Sequence, residues 1–141
     1  MPTSLLSLVL ILCFSLEMLQ SKSPGSNPIR TPVEVWCGGD DALTQRVCEA
    51  TVNSFAASSD FDLVDADEKK PGTLVVTVTE NVDWKEIGQR TKVSYKVAFT
   101  SLEDKKLGSA KGSCWDDDFA KCGAQIMKRA TAVARKLDSK K

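Results

Sequence analysis

The sequence predicts an α+β domain: one largely antiparallel sheet of four to five strands with two helices on one face, in the order β-α-β-β-β-β-α. Three observations predict it. Residues 73–81 (TLVVTVTEN) and 91–101 (TKVSYKVAFTS) alternate apolar and polar side chains with the period of a half-buried strand. Residues 41–58 and 117–137 repeat apolar side chains at three- and four-residue steps, the period of a helix with one buried face. Most strand neighbours are joined by short links, which suit antiparallel pairing.

Ahead of this pattern, residues 5–16 (LLSLVLILCFSL) are apolar except for serine. That is the length of a signal-peptide core and short of the roughly 20 residues of a membrane span. A signal peptide is therefore expected over 1–21, with cleavage before Lys22. Because no Lys or Arg precedes the apolar run, a retained anchor is the alternative. Leu12 is too bulky to precede a lipidated Cys13. Residues 22–32 (KSPGSNPIRTP) hold three of the five prolines and read as a flexible linker. A single domain is expected over 33–141.

Within the domain, VEVWC (33–37) forms a short strand with Val33, Val35 and Cys37 on one face, and Gly38-Gly39 ends it. Asp40 and Asp41 are placed to cap the helix that follows. On that helix Leu43, Val47, Ala50 and Ser54 share a face, flanked by Cys48, Val52 and Phe55. FDLVDAD (61–67) is a short strand, and Pro71-Gly72 makes a turn. Leu74, Val76 and Val78 then point one way along 73–81, as do Val93, Tyr95, Val97 and Phe99 along 91–101. The intervening NVDWKEIGQRT is a polar segment between two strong strands. A loop at 103–106 leads into LGSAKGSC (107–114), whose small residues suit a strand lying under something bulky. The last helix, 117–137, buries Phe119, Cys122, Ile126, Ala130 and Val133. Lys128, Arg129, Arg135 and Lys136 gather in its C-terminal half, where cations suit the helix dipole.

Strand, helix, FDLVD, the TLVVTVTEN strand, the FTSLEDKKLGSAKGS hairpin and a terminal helix together resemble small α/β domains of Gram-negative envelope proteins. These are the TolB N-terminal domain, CsgG and the activator lipoproteins of penicillin-binding proteins. Two departures stand out: LEDKKLG carries Lys-Lys-Leu where those hairpins have threonine before the glycine, and four cysteines are added. The resemblance implies a non-enzymatic part of an envelope assembly.

Export leaves Cys37, Cys48, Cys114 and Cys122, an even set in an oxidising compartment, so two disulfides are expected. CGGDDALTQRVC and CWDDDFAKC echo one another: a strand-end cysteine, acids at a helix start, and a second cysteine about two turns on. Local pairing closes the shortest loops. If the two junctions lie side by side, Cys37 with Cys114 and Cys48 with Cys122 competes, because a strand and its covering helix sit about 10 Å apart. The sequence leaves both open.

The chain offers little chemistry. It contains no histidine, which removes Ser-His and Cys-His nucleophile systems. The cysteine spacings do not match zinc or C-x-x-C redox sites. The adjacent aspartates 116–118 cannot all face one calcium ion and read as helix-starting acids. No cofactor or metal is expected. From residue 22 onward, 19 cations face 18 acids, a balance of +1 that gives no footprint for nucleic acid. The lysines read as scattered among acids, which gives no membrane-surface helix, and no stable membrane insertion is expected after signal cleavage. Trp36 and Trp115 flank the strand-end cysteines and are expected to pack on disulfides. Trp84, with Ile87, lies in the polar segment 81–91 as a candidate partner-binding anchor, the alternative being that the two fold back as a small satellite cluster.

The function expected is that of an exported, periplasmic or secreted, non-enzymatic protein-binding or accessory module, its partner a protein or another envelope component. The alternatives are a secreted hydrolase or carbohydrate-active domain using carboxylates, and a secreted inhibitor.

Overall fold

The computed structural model describes residues 28–139. The expected signal peptide, Cys13 and residues 22–27 of the expected linker lie outside the described residues. The elements are β1 (Thr31–Cys37), α1 (Ala42–Ala56), β2 (Phe61–Leu63), β3 (Leu74–Val78), β4 (Asp83–Ile87), β5 (Arg90–Thr100), β6 (Lys106–Trp115) and α2 (Phe119–Asp138). Both helices pack on the same face of a six-stranded sheet, α1 over β1 and β2 and α2 over β6. The fold is α+β, as the periodicities predict.

The sheet is mixed rather than largely antiparallel. β1 runs parallel to β2 on one side and to β3 on the other, while β3, β4 and β6 are antiparallel to β5. The reason lies in the connections. α1 carries the chain back along β1, so β2 starts at the same end as β1. Because β2 is only three residues long, the segment 64–73 can return to that end again without a helix.

β5 organises the rest. Its eleven residues pair with β6 along one edge, from Lys92↔Trp115 to Thr100↔Lys106. On the other edge its C-terminal part pairs with β3 (Val97↔Val78) and its N-terminal part with β4 (Trp84↔Val93). The β4–β5 hairpin therefore runs on past the end of β3. Segment 81–91, a polar segment between two strong strands, contains a further strand, β4, which brings the sheet to six.

Period-two alternation sends Val33, Leu74, Val76, Val78, Val93, Tyr95, Val97 and Phe99 to the helix-covered face, where all are buried. Gly112 makes room for Tyr95: a Cβ there would lie 2.3 Å from the tyrosine oxygen. That is the bulky cover the small-residue strand implied. α2 buries Phe119, Cys122, Ile126, Ala130 and Val133, the predicted face. α1 is rotated from its predicted face. Thr44, Val47, Cys48, Thr51 and Phe55 are buried, whereas Leu43, Ala50 and Ser54 are only partly covered. Cys48 must meet Cys37, and Phe55 packs edge-on against Phe61 with ring centroids 4.9 Å apart. An aromatic pair of this kind adds about 1 kcal/mol beyond its buried area. Gly123 of α2 lies against α1, where a Cβ would come within 2.3 Å of the Ala50 carbonyl oxygen.

Candidate functional site

The structure pairs the cysteines locally, Cys37 with Cys48 and Cys114 with Cys122, with Cα separations of 6.0 and 5.4 Å. The layer spacing that favoured cross-pairing does not apply. Each helix starts within five residues of its strand's end, so its first turns are still close to the sheet. The two junctions, moreover, lie on different halves of the sheet, β1 and β6 being separated by β3 and β5.

At the first junction Asp41 is the N-cap of α1. Its carboxylate accepts the Thr44 N–H at 2.9 Å and the Thr44 hydroxyl at 2.6 Å, and these bonds hold the acid below its ordinary range. The buried Thr44 hydroxyl in turn accepts the Val82 N–H at 2.9 Å. Asn81 adds a second tie, its carbonyl accepting the Asp40 N–H at 2.9 Å. This network pins residues 81–82, from which β4 departs. Gly38 completes it: its N–H donates to the Val78 carbonyl at 2.7 Å, and a Cβ would lie 2.6 Å from that oxygen.

The second junction uses its acids differently. Asp118 occupies the N-cap position of α2 but makes no capping hydrogen bond, contrary to the helix-starting role expected of the triplet. Asp116 instead accepts the Thr91 N–H at 3.1 Å, and Asp117 pairs with Arg90 at 2.7 Å. The hydrogen bond from Arg90, with its charge, holds Asp117 below the usual carboxylate range. Both acids thus tie the start of α2 to the start of β5. The hairpin is clamped at each strand: by α1 through Val82 and by the α2 junction through Arg90 and Thr91.

Between these clamps β4 carries a row of exposed side chains on a free sheet edge. Trp84 pairs with Val93 and points to the helix-covered side of the sheet, yet stays 60% exposed because neither helix reaches it. Ile87, 46% exposed, has the opposite strand parity, so the structure does not bring the two expected anchors onto one face. Ile87 lies across from Arg90, whose guanidinium sits 4.3 Å over the Trp115 ring. Lys85 and Lys92 face one another directly, a like-charge pair that costs stability in a sheet. Arg90, Trp115, Lys85 and Lys92 were missed as site residues. The alternation of Val82, Trp84 and Glu86 against Asp83, Lys85 and Ile87, followed by Gly88 at φ 65°, was the available signal.

Trp36 and Trp115 do not pack on the disulfides. Cys37 and Cys114 face the core, so their strand neighbours must point the other way. Trp36 is half exposed on the open face, hydrogen-bonded to the carboxylate of the buried Glu34, and Trp115 is covered by Arg90.

Other lysines of the open face are paired or opposed. Lys96 forms an ion pair with Glu80, which holds Lys96 up and Glu80 down, with Lys111 adding to the effect on Glu80. On the helix layer the cations of α2 are not scattered among acids. The helix gathers Lys121, Lys128, Arg129, Arg135 and Lys136 on its exposed side. Among the described residues no helix is long and apolar enough to cross a membrane.

Neither a family model nor a curated protein matches the chain. Solved structures do. A PelC dodecamer from Paraburkholderia phytofirmans is 13% identical, with a TM-score of 0.52 over 74% of this chain and 89% of that one. A DUF330 protein from Xanthomonas campestris is 10% identical, with a TM-score of 0.51 over 84% and 93%. At these identities the likeness is one of fold. What these neighbours share with the chain is the α+β fold. The particular likeness to TolB, CsgG and the penicillin-binding-protein activators finds no support in these structures.

Proposed function

We propose that the chain is an exported, non-enzymatic envelope module that docks a protein partner through the β4–β5 hairpin. One observation carries the reading. A solvent-exposed tryptophan sits on an edge strand that neither helix covers, in a hairpin held at its base by the Val82 tie and beside its turn by the α2 junction. An aromatic held rigidly on a free edge is the kind of side chain that dominates interface energetics. The carboxylates whose proton affinity is displaced, Asp41, Glu80 and Asp117, are all held down by a hydrogen bond or a cation. A general acid working near neutrality needs the opposite shift. A protein of this fold, PelC, forms a dodecamer, which is consistent with the fold serving in assemblies.

Crosslinking in native envelopes, comparing wild type with Trp84→Ala, tests the reading. Loss of one or more crosslinked partners is expected while the melting temperature stays unchanged, because Trp84 is largely exposed. An identical crosslink profile would remove the hairpin from partner binding.

A further inference from the structure

The five cations of α2 occupy one arc of the helix. At 100° per residue Lys121, Lys128, Arg129, Arg135 and Lys136 fall within about 120°, over a rise of about 22 Å. All five are exposed, and among the described residues none is in an ion pair. Residues 119–137 contain no acid. The arc faces away from α1. Gly123, which touches Ala50 of α1, lies on the far flank of the helix. Gln125, on the flank shared with Arg129 and Lys136, donates to the Ser113 carbonyl of β6 at 3.2 Å. Acids reach only the ends: Asp60 and Asp138 border the C-terminal end, and Asp116, Asp117 and Asp118 precede the N-terminal end, Asp116 bonded to Thr91, Asp117 paired with Arg90 and Asp118 exposed beside Lys121.

The route of the chain bears on what this arc meets. Residues 28–29 lie beside Arg135 and Leu137, so the polypeptide enters the domain at the C-terminal end of α2. In sequence the apolar run 5–16 precedes that point by the eleven residues 17–27, and Lys140 and Lys141 follow α2. Were the run kept as an anchor, the alternative to cleavage, it would join the domain where the basic arc ends; after cleavage the charge of the arc alone supports docking.

We propose that this arc is an electrostatic docking surface for a bilayer rich in anionic phospholipid, with α2 lying along the headgroups. Binding is peripheral, because the apolar face of α2 is used up in the core. A second copy is a poorer occupant. The acidic segment that could complement the arc, residues 60–68, is already partly neutralised by Lys70, which pairs with Asp62 and Glu68.

The chain from residue 22 onward suits the test, since the buried core lies wholly within residues 33–134. It is sedimented with vesicles of phosphatidylcholine alone and of phosphatidylcholine with about one third phosphatidylglycerol. Pelleting with the anionic vesicles only is expected, falling as salt rises from about 0.05 to about 0.5 M. The variant Lys128→Glu/Arg129→Glu/Lys136→Glu should bind at least about tenfold less. Lys69→Glu/Lys111→Glu, exposed and off α2, should stay within about twofold of wild type. Circular dichroism confirms that each variant is folded. Equal pelleting with neutral vesicles, pelleting with neither, or a triple variant that binds like wild type would overturn the proposal. Salt-sensitive self-association without vesicle binding would also overturn it, making the arc an interface between copies.

Discussion

Two junctions of this molecule share a written pattern and differ in what the pattern does. CGGDDALTQRVC and CWDDDFAKC each link a strand end to the helix above it by a disulfide. At the first, Asp41 caps its own helix and Thr44 relays the tie to Val82. At the second, the helix start has no side-chain cap, and Asp116 and Asp117 reach across to β5. The difference follows from the neighbours. After Cys37, two glycines let the chain press against the Val78 carbonyl and turn straight into α1, leaving Asp41 in capping position. After Cys114, Trp115 is still a strand residue paired with Lys92, so the acids that follow remain beside the start of β5. Similar residues at similar spacing act locally in one place and across the sheet in the other.

The disulfides give the largest break in the comparison. Each closes a short loop, 11 and 8 residues in separation, so the entropic contributions are similar, about 3 kcal/mol each. Burial separates them. Cys114 and Cys122 are both buried, whereas Cys37 is partly open. Replacing Cys114 and Cys122 together by Ala should therefore cost more than replacing Cys37 and Cys48, both within roughly 2–5 kcal/mol. Chemical denaturation measures this. Under native conditions limited reductant followed by alkylation should label Cys37 and Cys48 first. Equal labelling of both pairs would mean that exposure does not set their order.

Thr44 sharpens the comparison at an intermediate scale. Thr44→Val keeps the shape but removes the acceptor for the buried Val82 N–H and the donor to Asp41. A buried donor left without a partner costs about 1–3 kcal/mol. The loss should appear in denaturant midpoints without a change in m-value, and amide exchange at Val82 should accelerate. No substitution at Asp118 should do the same, since its side chain caps nothing.

Legibility in the sequence followed burial. β3, β5 and the buried face of α2 could be read because strong one-sided burial imposes a clean period of 2 or 3.6. α1 was misread by part of a turn, because its inward face carries Thr44 and Thr51, polar residues whose hydroxyls are satisfied locally or by Val82. β4 is hard to read because an edge strand exposed on both faces alternates only weakly: Val82 and Trp84 share a face, but Glu86 and Ile87 break the pattern. The tryptophans were placed by proximity to cysteine in sequence, where period two puts neighbours on opposite faces. The α2 arc is hidden in the linear sequence because its cations gather only once the helix winds, and Lys128, Arg129, Arg135 and Lys136 also suit the helix dipole.

The smallest expected effects separate the two sets of acids by their response to salt. Asp41 and Asp117 are both held below their ordinary range, so each adds stability above the unfolded carboxylate range. That contribution disappears as pH falls through the lower folded value, so both Asp41→Asn and Asp117→Asn should flatten the loss of stability below about pH 4. Their causes differ. Both are held first by a side-chain hydrogen bond, but the donor at Asp41 is the neutral Thr44 hydroxyl, whereas at Asp117 it is the exposed Arg90 guanidinium, whose charge adds to the bond. At about 1 M salt the Debye length is about 3 Å, which weakens an exposed ion pair far more than a hydrogen-bonded cap. Acid unfolding curves should therefore show Asp117→Asn converging on wild type in high salt while Asp41→Asn stays distinct. Convergence of both would mean that the first junction, too, is held mainly by charge, and the contrast between the two would be lost.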